Sequence, residues 1–288
     1  MTQEGVKRGI SSPRSISALS SSCYRTTSCV ATNTCCCLLS YTATNLTRCS
    51  EILSSNIDRL GISKRVSIAI LGDSRQRQLF TSFVHLLKYT NMTYELQGRH
   101  GSIRELEPLL LNGTNIHTNI VLKGSTDMPL DITFYWDPLL TEQLPKLLYQ
   151  WLQHSHTSPR LLIIGTGAHY LCRYNETASV MLGKHLAAVL PSLNKLAQTT
   201  HTIVKAMDHI LVRYQEPPFD KVLTDQNIDN FNSILADLMV NSPSVIMWNS
   251  TLPLSDQYIS MCYDHRADRM DYLWNCDDPL HLGYVVIH

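Results

Sequence analysis

Short apolar runs that each stop at small or polar residues set the pattern of the chain. Val66 to Leu71 reads VSIAIL, Leu130 to Trp136 reads LDITFYW, and Arg160 to Gly165 reads RLLIIG. Runs of this length, bounded by turn residues, predict strands buried on both faces. HILVRYQ, His209 to Gln215, predicts another strand, stopped by Pro217 and Pro218. SVIMW, Ser244 to Trp248, predicts a short last one.

Between these runs the apolar spacing changes to that of a helix. Leu79, Phe80, Phe83, Val84 and Leu87 fall on one face of a helix over Arg75 to Lys88. Leu140, Leu144, Leu147, Leu148 and Trp151 mark a second, and Leu182, Leu186, Val189, Leu190, Leu193 and Leu196 a third. A fourth is expected over Asn227 to Met239. Strand–helix alternation of this kind predicts a three-layer α/β/α fold with a mainly parallel central sheet. Residues 1–60, rich in Ser, Thr and Cys and without either period, are expected to form a poorly ordered arm ahead of a domain spanning 61–288.

Composition narrows the picture. Lys+Arg and Asp+Glu balance at 24 each, so no net field draws the chain to nucleic acid or an anionic membrane. Six of the 9 cysteines lie in the first fifty residues, without the paired CxxC spacing of a zinc site, which favours disulfides or free thiols over a metal. Sequons begin at Asn45, Asn91, Asn112, Asn175 and Asn249, and together with the cysteines they point to a secretory-pathway lumen. The chain shows neither the apolar core of a signal peptide nor a membrane-length apolar run.

Chemistry is expected where strands of a parallel sheet end. VSIAIL ends in Gly72-Asp73-Ser74, and RLLIIG in Gly165-Thr166-Gly167-Ala168-His169. Gly72 to Ser74 reads two ways: a turn with a helix cap, or a nucleophilic serine at the mouth of the sheet. The second glycine of a G-x-S-x-G elbow is absent. The sequence Asn275-Cys-Asp-Asp-Pro-Leu-His281 near the other end of the chain places Asp278 and His281 where one loop could supply a base and its orienting carboxylate, with Asp277 as the fallback for Asp278. His169 is the second-choice base, and His265 reads as a surface side chain. Donors to a developing oxyanion are sought in the Ser74 N–H, Gly98 and Gly167. Arg75, beside the serine, is a candidate for binding an anionic substrate, while Arg77 reads as a solvated helix face.

GDSRQRQLFTSFV, with ITFYWDP, LLIIGTGAHYL, LPSLNKLAQ and QEPPFDKVL following in order, resembles the luminal catalytic domain of sialate O-acetyltransferases, in the PC-esterase branch of the SGNH hydrolase superfamily. The resemblance runs from about Cys49 to His281. It implies an SGNH-like, flavodoxin-like sheet with Ser74 as nucleophile and Asp278 and His281 as its partners. Pro279 stands where the family has glycine. It further implies acetyl-CoA as donor, CMP-sialic acid or a sialylated glycan as acceptor, no bound cofactor or metal, and a place on the luminal side of the Golgi membrane. The family's N-terminal anchor and its multipass membrane region have no counterpart here, so the domain is expected to be truncated at its C-terminal end. An O-acetyl esterase using the same three residues, and an inactive or glycan-binding fragment, are the alternative readings.

Overall fold

The computed structural model describes residues 65–111, 116–264 and 276–283. The arm 1–60, the sequons at Asn45 and Asn112, and His265 lie outside the described residues. The first strand, β1 (Val66–Gly72), lies inside an eight-stranded sheet. In chain order β1 is followed by α1 (Ser74–Leu87), β2 (Thr93–Leu96), β3 (Arg99–Ser102), α2 (Ile103–Leu111), β4 (Ile120–Lys123) and β5 (Leu130–Trp136). Then come α3 (Gln143–Gln153), β6 (Leu161–Gly165), α4 (Ala168–Tyr174), α5 (Ala178–Leu196), β7 (His201–Lys205), α6 (Asp225–Val240), β8 (Val245–Trp248) and α7 (Leu252–Asp264).

The strand order is β3-β2-β4-β5-β1-β6-β7-β8. The five strands from β5 to β8 run parallel, as the continuous apolar runs require, whereas β4, β2 and β3 pair antiparallel. The alternation of β1 divides its side chains between two cores. Val66, Ile68 and Ile70 pack with Phe80, Val84, Leu87 and Phe134 under α1 and α2. Ala69 and Leu71 pack with Leu147, Leu162, Leu186 and Phe231 under α3, α5 and α6. These are the three layers expected of the fold.

One expected strand is not there. Residues 209–215 form a loop with a single 3-10 turn, Val212–Tyr214, and the strand before that loop is β7, His201–Lys205. Ile210 and Leu211 are fully buried, which explains the apolar signal, but the backbone N–H of Leu211 pairs with the carbonyl of Pro279 at 3.0 Å rather than with a neighbouring strand. Burial produced the pattern without a ladder.

The chain leaves β1 towards β5 on one side and returns across it to β6 on the other. The reversal makes the carboxyl end of β1 a topological switch point, where open α/β sheets form a crevice. Ser74 opens α1 at that point.

Candidate active site

At the end of β1 the backbone leaves no room for a side chain. Gly72 has φ +151°, and a Cβ there would lie 1.8 Å from the carbonyl oxygen of Gly165, its partner in the ladder with β6. Only glycine fits this position. The chain then turns through Asp73, whose Oδ1 accepts a hydrogen bond from the Arg75 N–H at 3.0 Å and caps α1. The capping role expected at this turn therefore falls to Asp73, and Ser74 is left as the first helical residue.

The Ser74 hydroxyl meets the His281 loop. Its Oγ lies 2.7 Å from His281 Nε2, across 207 positions of sequence. On the far side of the ring, His281 Nδ1 lies 2.9 Å from Asp278 Oδ2. A hydroxyl that donates to Nε2 and an Nδ1–H that donates to a carboxylate define one tautomer, the one in which the imidazole can take a proton from the serine. The other oxygen of Asp278 accepts the backbone N–H groups of Leu280 and His281, each at 3.0 Å. Burial alone would push the Asp278 carboxyl up, yet the hydrogen bond and charge of His281 and those two N–H groups hold it below the ordinary carboxylate value. Asp278, not Asp277, is the carboxylate on the imidazole.

The loop that carries them is tied at several points. Cys276 forms a disulfide with Cys262 at the end of α7. Both are buried, with Leu211, Tyr258 and Leu282, in a small cluster of their own. Leu280 packs against the larger core. Cys172 is free and exposed.

The remaining candidates divide. Gly167 stays at the mouth of β6, next to β1, packed so closely on Met207 that a Cβ would lie 2.2 Å from its sulfur. His169 follows on α4, half-buried and edge-on to Trp136 at 5.5 Å between ring centroids. Gly98 does not belong to the site: it is exposed in the β2–β3 turn, and β4 and β5 lie between β2 and β1. At ~4.8 Å per strand that is roughly 14 Å sideways. A hairpin turn with φ +76° is what Gly98 provides.

Arg75, expected to face an anionic substrate, is engaged with Asp208. Its side chain is buried, donates from Nη1 to the Asp208 carbonyl at 3.0 Å and lies 3.7 Å from the Asp208 carboxylate. Lys205 and the Thr251 hydroxyl bond the same carboxylate. The guanidinium holds the loop after β7 to α1. Arg77, read as solvated, is half-buried and donates to the Ile116 carbonyl at 2.9 Å, with its guanidinium 6.0 Å from the Trp136 ring.

Sequence reasoning passed over Asp208, Gln78 and the stacked pair of His117 and Trp136, whose ring centroids lie 4.4 Å apart. Asp208 and His117 sit in no motif and acquire their places only through contacts distant in sequence, whereas Gln78 and Trp136 lie within GDSRQRQLFTSFV and ITFYWDP, and the spacing of Gln78 from Ser74 by one helical turn was visible. Asn91, Asn175 and Asn249 are all exposed. Among the described residues no helix is long and apolar enough to cross a membrane, and no cluster of three or more His, Cys, Asp or Glu is suited to a metal ion.

Known proteins share part of this pattern. The chain is similar to an N-acetylneuraminate (7)9-O-acetyltransferase. This relative, from Danio rerio, is 24% identical over 221 residues, which are 75% of this chain. The chain thus spans about a quarter, 23%, of the relative's length. No family model matches. Among solved structures, a GDSL-like lipase of Parabacteroides merdae aligns with a TM-score of 0.41 at 15% identity, over 78% of this chain and 92% of its own. An acetylxylan esterase of Geobacillus stearothermophilus aligns with a TM-score of 0.36 at 9% identity, over 77% and 89%.

Proposed function

We propose that the chain is an O-acetyltransferase that moves acetyl from acetyl-CoA to a hydroxyl of a sialic acid, with CMP-sialic acid as acceptor. The observation that carries this reading is the continuous relay from Ser74 Oγ to His281 Nε2 at 2.7 Å, and from His281 Nδ1 to Asp278 at 2.9 Å. The similarity to the Danio rerio acetyltransferase supports the choice of acetyl chemistry and of acceptor.

In the first step Ser74 Oγ attacks the thioester carbonyl while His281 Nε2 takes its proton. In this scheme the Ser74 N–H, at the start of α1, donates to the carbonyl oxygen as it becomes an anion, and the helix dipole adds to the stabilisation. Collapse breaks the C–S bond, and the imidazolium returns the proton to the leaving thiolate. In the second step His281 removes a proton from the sugar hydroxyl, which attacks the acetyl-serine. The C–O bond to Ser74 breaks, and the serine regains its proton. The exposed asparagines at 91, 175 and 249 accord with a luminal, Golgi-located domain.

Incubation with acetyl-CoA and CMP-sialic acid is expected to give an acetylated sugar by mass spectrometry, and Ser74→Ala to give none. Free acetate without acetylated sugar would replace the transferase by an esterase, with water as the acceptor. No turnover, together with no reaction of Ser74 with a fluorophosphonate, would remove the enzymatic reading altogether.

A further inference from the structure

The serine–histidine hydrogen bond is a single contact between α1 and a loop more than two hundred positions away. One contact fixes a distance but leaves the loop free to pivot about it. A second contact one helical turn along supplies what is missing. Gln78 follows Ser74 by four residues and so lies on the same face of α1. Its side-chain nitrogen donates to the backbone carbonyl of Leu282, the residue after His281. A carbonyl can only accept, so the amide orientation is fixed by chemistry. Both partners are buried, with Gln78 at 8% exposure and Leu282 at 2%.

Successive residues of the helix face thus meet successive residues of the loop: Ser74 meets His281, and Gln78 meets Leu282. The Leu282 side chain is anchored in the cluster of Tyr258, Cys262 and Cys276, which leaves its carbonyl directed at α1. The Leu211 N–H holds the Pro279 carbonyl at 3.0 Å on the other side of His281. The imidazole is therefore bracketed by two backbone ties, one of them made by a side chain of the nucleophile's own helix.

We propose that Gln78 is a positioning residue that acts through His281, setting the plane of the imidazole against Ser74. The inference rests on the acyl-transfer reading of Ser74 and His281. A misplacement of about 1 Å at a reacting group lowers rates by up to roughly 100-fold. Loss of this tie is therefore expected to lower kcat, and the rate of Ser74 phosphonylation, by about 10- to 100-fold with KM little changed.

The test uses the full chain and a fluorophosphonate probe. Gln78→Met keeps length and volume but removes the donor. It is expected to label far more slowly and to lose the downfield proton NMR signal of an Nδ1–H bonded to a carboxylate, while the chain stays folded with a melting temperature lowered by the unpaired Leu282 carbonyl. Wild-type protein that fails to label at Ser74 would overturn the underlying reading of the site. Labelling of Gln78→Met at the wild-type rate, with wild-type protein reactive, would overturn the positioning role alone. So would slow labelling with the NMR signal intact, because the effect would then bypass His281. Should Gln78→Met fail to fold, Gln78→Ala, which removes the donor with the least steric demand, is judged by the same two readouts.

Discussion

Ser74 is reactive or inert according to what two small residues before it allow. Gly72 lets β1 and β6 approach until a Cβ would collide with the Gly165 carbonyl, and Asp73 takes over the capping of α1. Gly72→Ala therefore forces backbone apart at the mouth of the sheet. The expected loss is about 3 kcal/mol, at the upper end of the overpacking range, read as a lower urea midpoint at unchanged m-value. On the other side of the imidazole, Asp278→Asn keeps shape but cannot hold the Nδ1–H tautomer. By analogy with the chymotrypsin triad the rate is expected to fall by ~10⁴, with normal folding. The Asp278 carboxyl is held below its ordinary value, so the stability it contributes is complete above the unfolded value of about 3.9 and is lost as pH falls through the folded one. The wild-type site should therefore open in acid before the sheet melts, an order that His281 NMR signals and far-UV circular dichroism would separate. The motif residues were legible in the sequence because Gly, Asp and Ser at a strand end and Asp-x-x-His in one loop are local patterns. The role of Arg75 was not, since only the folded chain shows that its guanidinium faces Asp208.

At the scale of elements, the carboxyl ends of the strands are held by buried charge as well as by apolar packing. Asp208 receives Arg75, Lys205 and Thr251 in a space where all four are buried. Burial would push its carboxyl up, but the two cations and the hydroxyl hold it below the ordinary value. Asp208→Ala strands two buried cations and is expected to cost about 3–5 kcal/mol in chemical denaturation. The next residue joins helices. His209 spans Asp229 on α6, at 3.0 Å, and Asp256 on α7, at 2.6 Å. Burial pulls this imidazole down, but the hydrogen bonds and charges of the two carboxylates outweigh it and raise its pKa. The clamp is complete below the unfolded value of about 6.5 and is lost as pH rises through the raised one. The melting temperatures of wild type and His209→Gln should differ most at mildly acidic pH and converge in alkali. The parallel strands β1, β5, β6 and β8 and the long helices were readable from their apolar runs and spacing because each is held by buried apolar faces. The 209–215 segment misled because tertiary contacts bury a loop as thoroughly as a strand, and HTIVK, although β-branched, was too short and polar-ended to compete with it.

For the whole molecule, the parallel part of the sheet was legible except for β7, and the antiparallel part was not. β2, β3 and β4 are four-residue strands, each with polar or exposed positions, and only their pairing gives them structure. The site follows the same division: its two sequence segments were recognisable, but the means of bringing them together lay in ties such as Cys262–Cys276. That disulfide closes a segment with a sequence separation of 14 outside the sheet, between α7 and the His281 loop. Cross-linking a loop of about this length stabilises it by ~3 kcal/mol in the chain-entropy account. The link lies outside the sheet, whose ladder runs from β3 to β8 without crossing it. Removal should therefore act on the site first. A Cys262→Ser/Cys276→Ser double variant is expected to lose most of its Ser74 fluorophosphonate reactivity while amides in β1, β5 and β6 remain protected, their exchange quickened by no more than the ~3 kcal/mol lost from global unfolding. If those strands lose protection in step with Ser74 reactivity, the loop and sheet melt as one unit, and the disulfide supports the fold as a whole rather than the approach of His281 to the serine.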